Sequence, residues 1–341
     1  MDSSVLLEVR DLRAHFFSDE GTVRAVDGVD FQIMKGETLG VVGESGCGKS
    51  VTAQSILQIL PKNGRIISGE INLSTNGKAV DLAKMKPTGR EIRSIRGKEI
   101  SMMFQEPMTC LSPVHTIGNQ IDEAIRLHRN ANKQEAREIT VEMLQKCGIP
   151  EPDMRADAYP HQLSGGMRQR AMIAMALSCR PKLLIADEPT TALDVTTQAQ
   201  ILDLLNELQH EIDTSIMMIT HNLGVVAEMA DHAIVMYLGK VVEHASSEMI
   251  FKAPKHPYTR ALLKSIPKLG SKSKERLLSI EGSVPNPYEL PKGCKFHPRC
   301  QDMIPGVCDR SEPTLLSIED GHSVSCFLHS DPPGSEGSDQ A

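Results

Sequence analysis

The feature that most limits the fold of this chain is a glycine-rich loop between an apolar strand and a helix. Residues 43–50 read Gly-Glu-Ser-Gly-Cys-Gly-Lys-Ser and fit the pattern G-x-x-x-x-G-K-[ST]. The apolar run 38–42 predicts a buried strand, and the residues after the loop predict a helix running towards Leu60. Such a loop wraps backbone N–H groups around phosphates. We therefore predict a nucleoside triphosphate site in which Lys49 bridges the β- and γ-phosphates and Ser50 binds Mg²⁺.

Short β-type runs alternate with longer amphipathic stretches, which is typical of a mostly parallel sheet covered by helices. Residues 182–186 and 215–220 are further candidates for buried strands, and each run ends at a polar residue, where α/β proteins place their chemistry. Between about residues 97 and 180 the strand signals fade, whereas 121–129 and 133–147 show helical spacing. The sequence therefore predicts an α/β fold with a helical insert.

A second, acidic motif distinguishes this site from that of a kinase or a GTPase. Residues 183–188 read Leu-Leu-Ile-Ala-Asp-Glu, an apolar strand that ends in two adjacent carboxylates. We expect Asp187 to orient Mg²⁺ through water and Glu188 to polarise the attacking water. A solvated acidic turn would explain the carboxylates alone, but their pairing with the phosphate loop favours a hydrolase.

A third motif, Leu-Ser-Gly-Gly-Met-Arg-Gln-Arg at residues 163–170, lies just before a helix that is expected to stop at residues 180–181. Ser164 can cap that helix, while Gly165 and Gly166 leave backbone N–H groups uncovered at its positive end, so a second anion-binding surface is predicted. The motif resembles the signature of ABC ATPases, and residues 5 to about 330 resemble the peptide-importer branch of that family.

The resemblance implies roles for further residues that occur in the family's order along the chain. Gln105 matches the glutamine that senses Mg²⁺ and the γ-phosphate and touches the membrane subunit. Asp194 matches the loop that couples the two ATP sites, and His221 matches the switch histidine that contacts the γ-phosphate. An aromatic residue near the N-terminus stacks on adenine in this family; Phe16 fits that position, and the adjacent Phe17 is an open alternative.

The implied fold is a P-loop NTPase of the ABC type, with a RecA-like core, an antiparallel β subdomain and a helical subdomain over about residues 97–180. The expected catalytic residues are Glu188, His221 and Gln105, and Mg²⁺ is expected at Ser50, Gln105 and Asp187. The expected nucleotide-binding residues are Phe16, Gly43, Glu44, Ser45, Gly46, Cys47, Gly48, Lys49, Ser50, Val51, Gln105, Ser164, Gly165, Gly166, Asp187, Asp194 and His221.

The resemblance also implies partners. In this family Ser164 and Gly166 of one subunit complete the ATP site on the phosphate loop of the other, so one chain carries two half-sites. The expected partners are a second ABC ATPase subunit, with a related ATPase favoured over a second copy, two integral membrane permease subunits and, through the complex, an extracytoplasmic solute-binding protein. The chain is expected at the cytoplasmic face of the membrane as a peripheral importer subunit for oligopeptides or dipeptides, although related ATPases serve nickel, glutathione and sugars.

Four of the eight cysteines, Cys294, Cys300, Cys308 and Cys326, lie in the last fifth of the chain, where proline recurs. Four thiolates suit Zn²⁺ or an iron–sulfur cluster, and the spacings lack the tight C-x₂-C pairs of zinc ribbons. The residues leave a cluster, zinc and unliganded thiols open, and the family resemblance points to a structural [4Fe–4S] cluster. Because this segment follows the last ATPase motif, we expect it to contribute nothing to phosphate chemistry.

Composition excludes other classes of function. Asp plus Glu number 44 against 37 Lys plus Arg, a formal charge of -7 that lacks the basic field needed for nucleic acid. An ABC ATPase acting on DNA or ribosomes would have two cassettes or a long coiled-coil insertion. A vestigial ATPase in a metal sensor would not keep its motifs intact.

We predict an ATPase domain over residues 1–245, a C-terminal extension over 246–330 and a disordered tail over 331–341.

Overall fold

The computed structural model describes residue 2 and residues 4–75, 77–105, 110–191, 193–265 and 280–330. In chain order, the strands of this part of the chain are β1 (Val5–Ser18), β2 (Gly21–Met34), β3 (Thr38–Val42), β4 (Gly64–Thr75), β5 (Lys78–Asp81), β6 (Ile100–Met103), β7 (Leu183–Asp187), β8 (Ser215–Thr220), β9 (His232–Tyr237), β10 (Lys240–Ser246), β11 (Leu316–Glu319) and β12 (His322–Val324). The α-helices are α1 (Lys49–Ile56), α2 (Arg90–Ile95), α3 (Ile117–Arg129), α4 (Lys133–Lys146), α5 (Pro152–Ala156), α6 (Gly165–Leu177), α7 (Val195–Ile212), α8 (Leu223–Met229), α9 (Ser247–Lys252) and α10 (Pro257–Lys264).

The larger of two sheets has eight strands in the order β11-β12-β10-β9-β3-β8-β7-β6. Strands β9, β3, β8, β7 and β6 run parallel, and every residue of β3 and β8 is buried. Alternate residues of β8 pack into different cores, Met217 and Ile219 on one face and Ile216 and Met218 on the other. A strand covered on both faces reads as a continuous apolar run, which explains why residues 38–42 and 215–220 were predictable.

The smaller sheet has four antiparallel strands in the order β2-β1-β4-β5. Its buried residues, including Leu7, Phe31 and Ile71, share a core with Leu39 and Val41 of β3. The antiparallel sheet is therefore fixed against the strand that enters the phosphate loop. The predicted combination of a mostly parallel sheet with a separate antiparallel sheet is confirmed.

Helices α3 to α6 form the helical segment and share a core with one face of the large sheet. Asn132 begins α4 with a capping box, in which its side chain accepts N–H groups and Glu135 bonds back to its backbone. The segment differs from the predicted range of about residues 97–180 because strand β6 lies within it and pairs with β7. A four-residue strand at the edge of a sheet carries too little period-2 pattern to be recognised from sequence.

Residues 246–330 are called the C-terminal region below, and two of its strands belong to the large sheet. Strand β12 pairs with β10, and β11 pairs with β12. The Nε2 atom of His322 lies 2.8 Å from Oε1 of Glu243 on β10, with both side chains fully buried. A third core combines Val42 and Tyr237 of the parallel strands with Tyr258 and Phe296 of the C-terminal region. The predicted tail at residues 331–341 lies outside the described residues.

Candidate nucleotide site

The phosphate loop connects β3 to α1, and two of its glycines are required by space as well as by conformation. Gly43 has φ +154° and Gly48 has φ +106°. A Cβ atom on Gly43 would collide with the backbone carbonyl of Met236, and one on Gly48 with the carbonyl of Ala25. Neighbouring strands therefore fit closely around the loop, and only glycine allows that approach.

Lys49 and Ser50 open helix α1 at the centre of the predicted site. The buried ammonium of Lys49 donates hydrogen bonds to the carbonyl oxygens of Gly43, at 2.7 Å, and Glu44, at 3.1 Å. The hydroxyl of Ser50 donates to Oδ1 of Asp187 at 3.1 Å. Burial raises the pKa of Asp187, while the Ser50 hydrogen bond opposes that shift. A hydroxyl beside a carboxylate is an oxygen donor set that fits Mg²⁺.

Glu188 follows β7 in a left-handed conformation, with φ +50°, and its N–H donates to the carbonyl of Ile219 at 2.8 Å. One carboxylate oxygen accepts Nε2 of Gln105 at 2.9 Å and the hydroxyl of Thr191 at 2.8 Å. The other lies 3.1 Å from Nδ1 of His221. Burial favours the neutral acid, but the hydrogen bonds from His221 and Thr191 together outweigh it and lower the pKa of Glu188. The carboxylate is therefore ionised, and its hydrogen bonds fix its orientation.

The structure thus brings three of the predicted residues together, Gln105, Glu188 and His221, although they come from three separate segments. Gln105 follows β6, Glu188 follows β7 and His221 follows β8. Because these strands are parallel neighbours, their carboxyl ends meet at one edge of the sheet beside the phosphate loop.

The signature segment lies at the start of α6. Ser164 caps the helix by accepting the N–H of Met167 at 3.3 Å, as predicted. A Cβ atom on Gly165 would meet no heavy atom within 4 Å, and one on Gly166 would lie 3.3 Å from Cγ2 of Thr197. The space beside Gly165 is therefore open, which leaves room for an anion at this helix end.

Asp194 begins helix α7 and accepts two hydrogen bonds from Thr197, from its N–H at 3.0 Å and from its hydroxyl at 2.7 Å. These bonds hold the pKa of Asp194 below its usual value. Since the nearest neighbour of Gly166 is also Thr197, the signature segment and the loop of Asp194 lie side by side.

The two aromatic candidates for adenine stacking differ in exposure. Phe16 is half-buried, and its ring lies against Gly64, whereas Phe17 is 44% exposed. A partly covered ring on a strand is a more rigid platform than an exposed one, which agrees with the position of Phe16 in the family pattern.

Two contributors were missed from the sequence. Thr191 supplies one of the hydrogen bonds to Glu188, and its only sequence signal was its place three residues later. The buried Gln169, inside the signature motif, donates to the backbone carbonyl of Pro189. This bond ties the signature helix to the loop that carries Glu188, and a polar residue on a buried helix face was the available signal.

Cys294, Cys300, Cys308 and Cys326 gather in one part of the C-terminal region. Burial, together with the neighbouring thiols of the other three, raises the pKa of Cys294 to about 11. Burial likewise raises the pKa of Cys300 to about 11. Within the described ranges, no group of three or more His, Cys, Asp or Glu side chains is placed to hold a metal ion. The predicted metal site is therefore not confirmed.

None of the helices in the described part of the chain combines the length and the apolar character needed to span a bilayer.

Comparison with known proteins agrees with this geometry. The ABC transporter family model matches residues 26–191, and the model for the oligopeptide/dipeptide transporter C-terminal region matches residues 242–308. The oligopeptide transport ATP-binding protein AppD of Bacillus subtilis is 50% identical over 99% of this chain and 100% of its own. The dipeptide transport ATP-binding protein DppD of Escherichia coli is 47% identical over 96% of this chain and 98% of its own.

A probable peptide ABC transporter ATP-binding protein of Sinorhizobium fredii is 51% identical over 95% of both chains. Among solved structures, a dimeric ATP-binding cassette bound to ADP and phosphate matches with a TM-score of 0.62 and 26% identity, over 71% of this chain and 99% of that one. The family model and these similar chains show that this chain belongs to the ATP-binding subunits of ABC transporters.

Proposed function

We propose that this chain hydrolyses ATP to drive the uptake of oligopeptides or dipeptides. The C-terminal region supports this substrate class, because its matching model describes oligopeptide and dipeptide transporters and the similar chains carry peptide transport in their names. The observation that carries the hydrolytic part is the ionised Glu188 held between Gln105, Thr191 and His221.

In the proposed reaction Glu188 accepts a proton from the water that attacks the γ-phosphate, while Gln105 and His221 fix the direction of its carboxylate. Lys49 neutralises charge on the β- and γ-phosphates, since its ammonium lies inside the loop. Ser50, Asp187 and Gln105 would hold Mg²⁺, which supplies charge neutralisation when bound. The other predicted loop residues, from Gly43 to Val51, would contribute backbone N–H groups or line the phosphates.

We propose that Ser164, Gly165 and Gly166 serve the ATP site of a partner subunit, with Asp194 at the same interface. The support is their position: the space beside Gly165 is open, and Gly166 lies beside Thr197 in the helix that Asp194 begins. A related ATPase is the favoured partner. Two membrane permease subunits and a solute-binding protein would complete the importer, with this chain at the cytoplasmic face. The division into residues 1–245 and 246–330 is part of the same proposal.

We also propose that Cys294, Cys300, Cys308 and Cys326 hold a [4Fe–4S] cluster. The four thiols already influence one another electrostatically. The family resemblance of the C-terminal region favours a cluster, whereas the four thiols by themselves would suit zinc equally well. Anaerobic purification should give about four irons per chain, and Cys300→Ser should lose them. Stoichiometric zinc without iron, or no metal at all, would contradict the cluster.

The substrate class is tested by isolating the complex with a tagged chain and reconstituting it with its solute-binding protein in vesicles. We expect ATP-dependent uptake of labelled di- and oligopeptides that stops in the Glu188→Gln variant. Uptake of nickel, glutathione or a sugar in place of peptides would refute the substrate class and leave the ATPase assignment intact. The proteins that copurify would show whether the partner ATPase is a related chain or a second copy.

A further inference from the structure

We propose that Arg299 is a positioning residue of the ATP site, through which the C-terminal region fixes the shape of the phosphate loop. Arg299 immediately precedes Cys300, and its guanidinium reaches Glu44, the second residue of the loop. The two nitrogens donate to the two carboxylate oxygens at 2.7 and 3.0 Å. The C-terminal region is therefore in direct contact with the phosphate loop, and the proposal departs from the expectation that this region contributes nothing to phosphate chemistry.

The ion pair is well held. The Arg299 side chain is only 3% exposed and that of Glu44 is 26% exposed. Arg299 also donates from Nε to the carbonyl of Glu281 at 3.2 Å, and Nη1 lies 3.4 Å from the hydroxyl of Tyr237. A planar guanidinium that makes two parallel bonds to a carboxylate is a strong and directional contact. Four hydrogen bonds from three nitrogens therefore restrain the orientation of the Arg299 guanidinium.

The backbone of Glu44 is held by a second residue of the C-terminal region. Its N–H donates to the hydroxyl of Tyr258 at 2.9 Å. The Tyr258 ring is fully buried, with ring centres 4.7 Å from Tyr237 and 5.3 Å from Phe296. Phe296 lies between Cys294 and Cys300 in the sequence, so the cysteine-bearing segment supports the tyrosine as well as the arginine.

The position of Glu44 matters because of what its own carbonyl does. That oxygen accepts the ammonium of Lys49 at 3.1 Å and the N–H of Cys47 at 3.3 Å. Fixing the carboxylate and the amide of Glu44 from outside therefore fixes the carbonyl that orients Lys49. Through this one residue, the C-terminal region constrains the side chain that is expected to meet the phosphates.

Charge gives the contact a second consequence. Glu44 places a negative charge in a loop that receives the anionic phosphates, and Arg299 cancels it at short range. Removing Arg299 alone would leave an unpaired carboxylate in a partly dry site, where charges interact strongly. Removing both charges would not. The loss of nucleotide binding on removing Arg299 should therefore be reversed when Glu44 loses its charge as well.

The test rests on the ATP site proposed above and uses Mg²⁺–ATP titrations of the full chain. Arg299→Met, which keeps most of the side-chain volume, should weaken nucleotide binding about tenfold, the value of one hydrogen bond to a charged group. Adding Glu44→Gln to that variant should restore binding to within about threefold of the unaltered chain, because the unpaired charge is gone. Arg299→Lys should be intermediate, since it keeps the charge and loses the second bond.

Arg260→Met is the matched control, because Arg260 pairs with Asp302 at 3.0 Å in the same region. It should bind Mg²⁺–ATP as the unaltered chain does. If Arg299→Met does not fold, Tyr258→Phe provides the second test: it removes only the acceptor of the Glu44 N–H and should weaken binding about threefold. Equal binding by the Arg299→Met, Tyr258→Phe and unaltered chains, or no recovery on adding Glu44→Gln, would overturn the proposal. An unaltered chain that binds no ATP would instead refute the ATPase assignment.

Discussion

The edge of the sheet that carries Glu188 and the part of the C-terminal region that carries the four cysteines are both partly buried, yet they treat charge in opposite ways. Hydrogen bonds from Gln105, Thr191 and His221 compensate the cost of burying the charged carboxylate of Glu188. For Cys294 and Cys300, the backbone hydrogen bonds at Phe296 and Asp302 do not offset the effect of burial, and the pKa values of both thiols rise to about 11. Glu188 is therefore ionised in the free protein, whereas the thiols of Cys294 and Cys300 stay protonated until a bound group displaces their protons.

This difference shows that the sheet edge at Glu188 is suited to catalysis and the cysteine-bearing part of the C-terminal region to binding or structure.

Glu188→Gln should have the largest effect, a loss of turnover of about 10² to 10⁴-fold, because it removes the base and keeps its size. Binding of Mg²⁺–ATP should survive, since Lys49 and the loop are unchanged. ATPase assays and nucleotide titrations of the assembled transporter would measure both. Glu207→Gln, an exposed change on α7, is the control, and a Glu188→Gln complex with more than half the normal rate would refute the assignment.

The composite site provides the next largest effect. Gly166→Asp should leave nucleotide binding to the isolated chain nearly unchanged, because the only close neighbour of a new Cβ is a methyl group of Thr197 at 3.3 Å. In the complex, its carboxylate would face the partner's γ-phosphate, and turnover should fall by about 10²-fold or more. Gly166→Ala adds the same Cβ without a charge and should be far less impaired. Equal loss of binding and turnover in the isolated chain would show that Gly166 does not act across an interface.

A smaller effect is expected from low pH, which should reduce folding stability through His256 of the C-terminal region. Burial lowers the pKa of His256 to about 3, and Arg260 and His329 nearby also disfavour its protonated form. His256 must stay neutral because its Nδ1 accepts the N–H of Tyr258 at 3.0 Å. Between pH 6.5 and 3, His256 binds a proton in the unfolded chain but not in the folded chain. The free energy of unfolding therefore falls as pH falls.

At pH 5 this histidine should cost about 2 kcal/mol of unfolding free energy. Urea midpoints at pH 7 and pH 5 would measure the loss, and His256→Gln, which can still accept a hydrogen bond, should reduce it. A variant with the same pH dependence as the unaltered chain would show that His256 does not titrate in this way. Glu188, whose pKa is lowered from its usual value, should stay ionised between pH 7 and pH 5.

The two regions also differ in how much the sequence could reveal. The phosphate loop, Asp187 and Glu188, and the start of α6 were predictable because each motif is contiguous and lies at the end of one strand or helix. The contacts of the C-terminal region join residues far apart: Arg299 and Glu44 are separated by 255 positions, and His322 and Glu243 by 79. No local period or spacing records such a pairing. The strands β11 and β12 were likewise missed, because each is at most four residues long.

The central claim is that the C-terminal region and the phosphate loop act as one unit, and amide hydrogen exchange tests it most directly. Binding free energies are reciprocal, so if the C-terminal region favours nucleotide binding, nucleotide must stabilise the C-terminal region. Adding Mg²⁺–ATP to the full-length Glu188→Gln chain should slow exchange in residues 257–264 and 293–300 as well as in residues 43–51, with α4 as the unaffected reference. Protection confined to residues 43–51 would contradict the account.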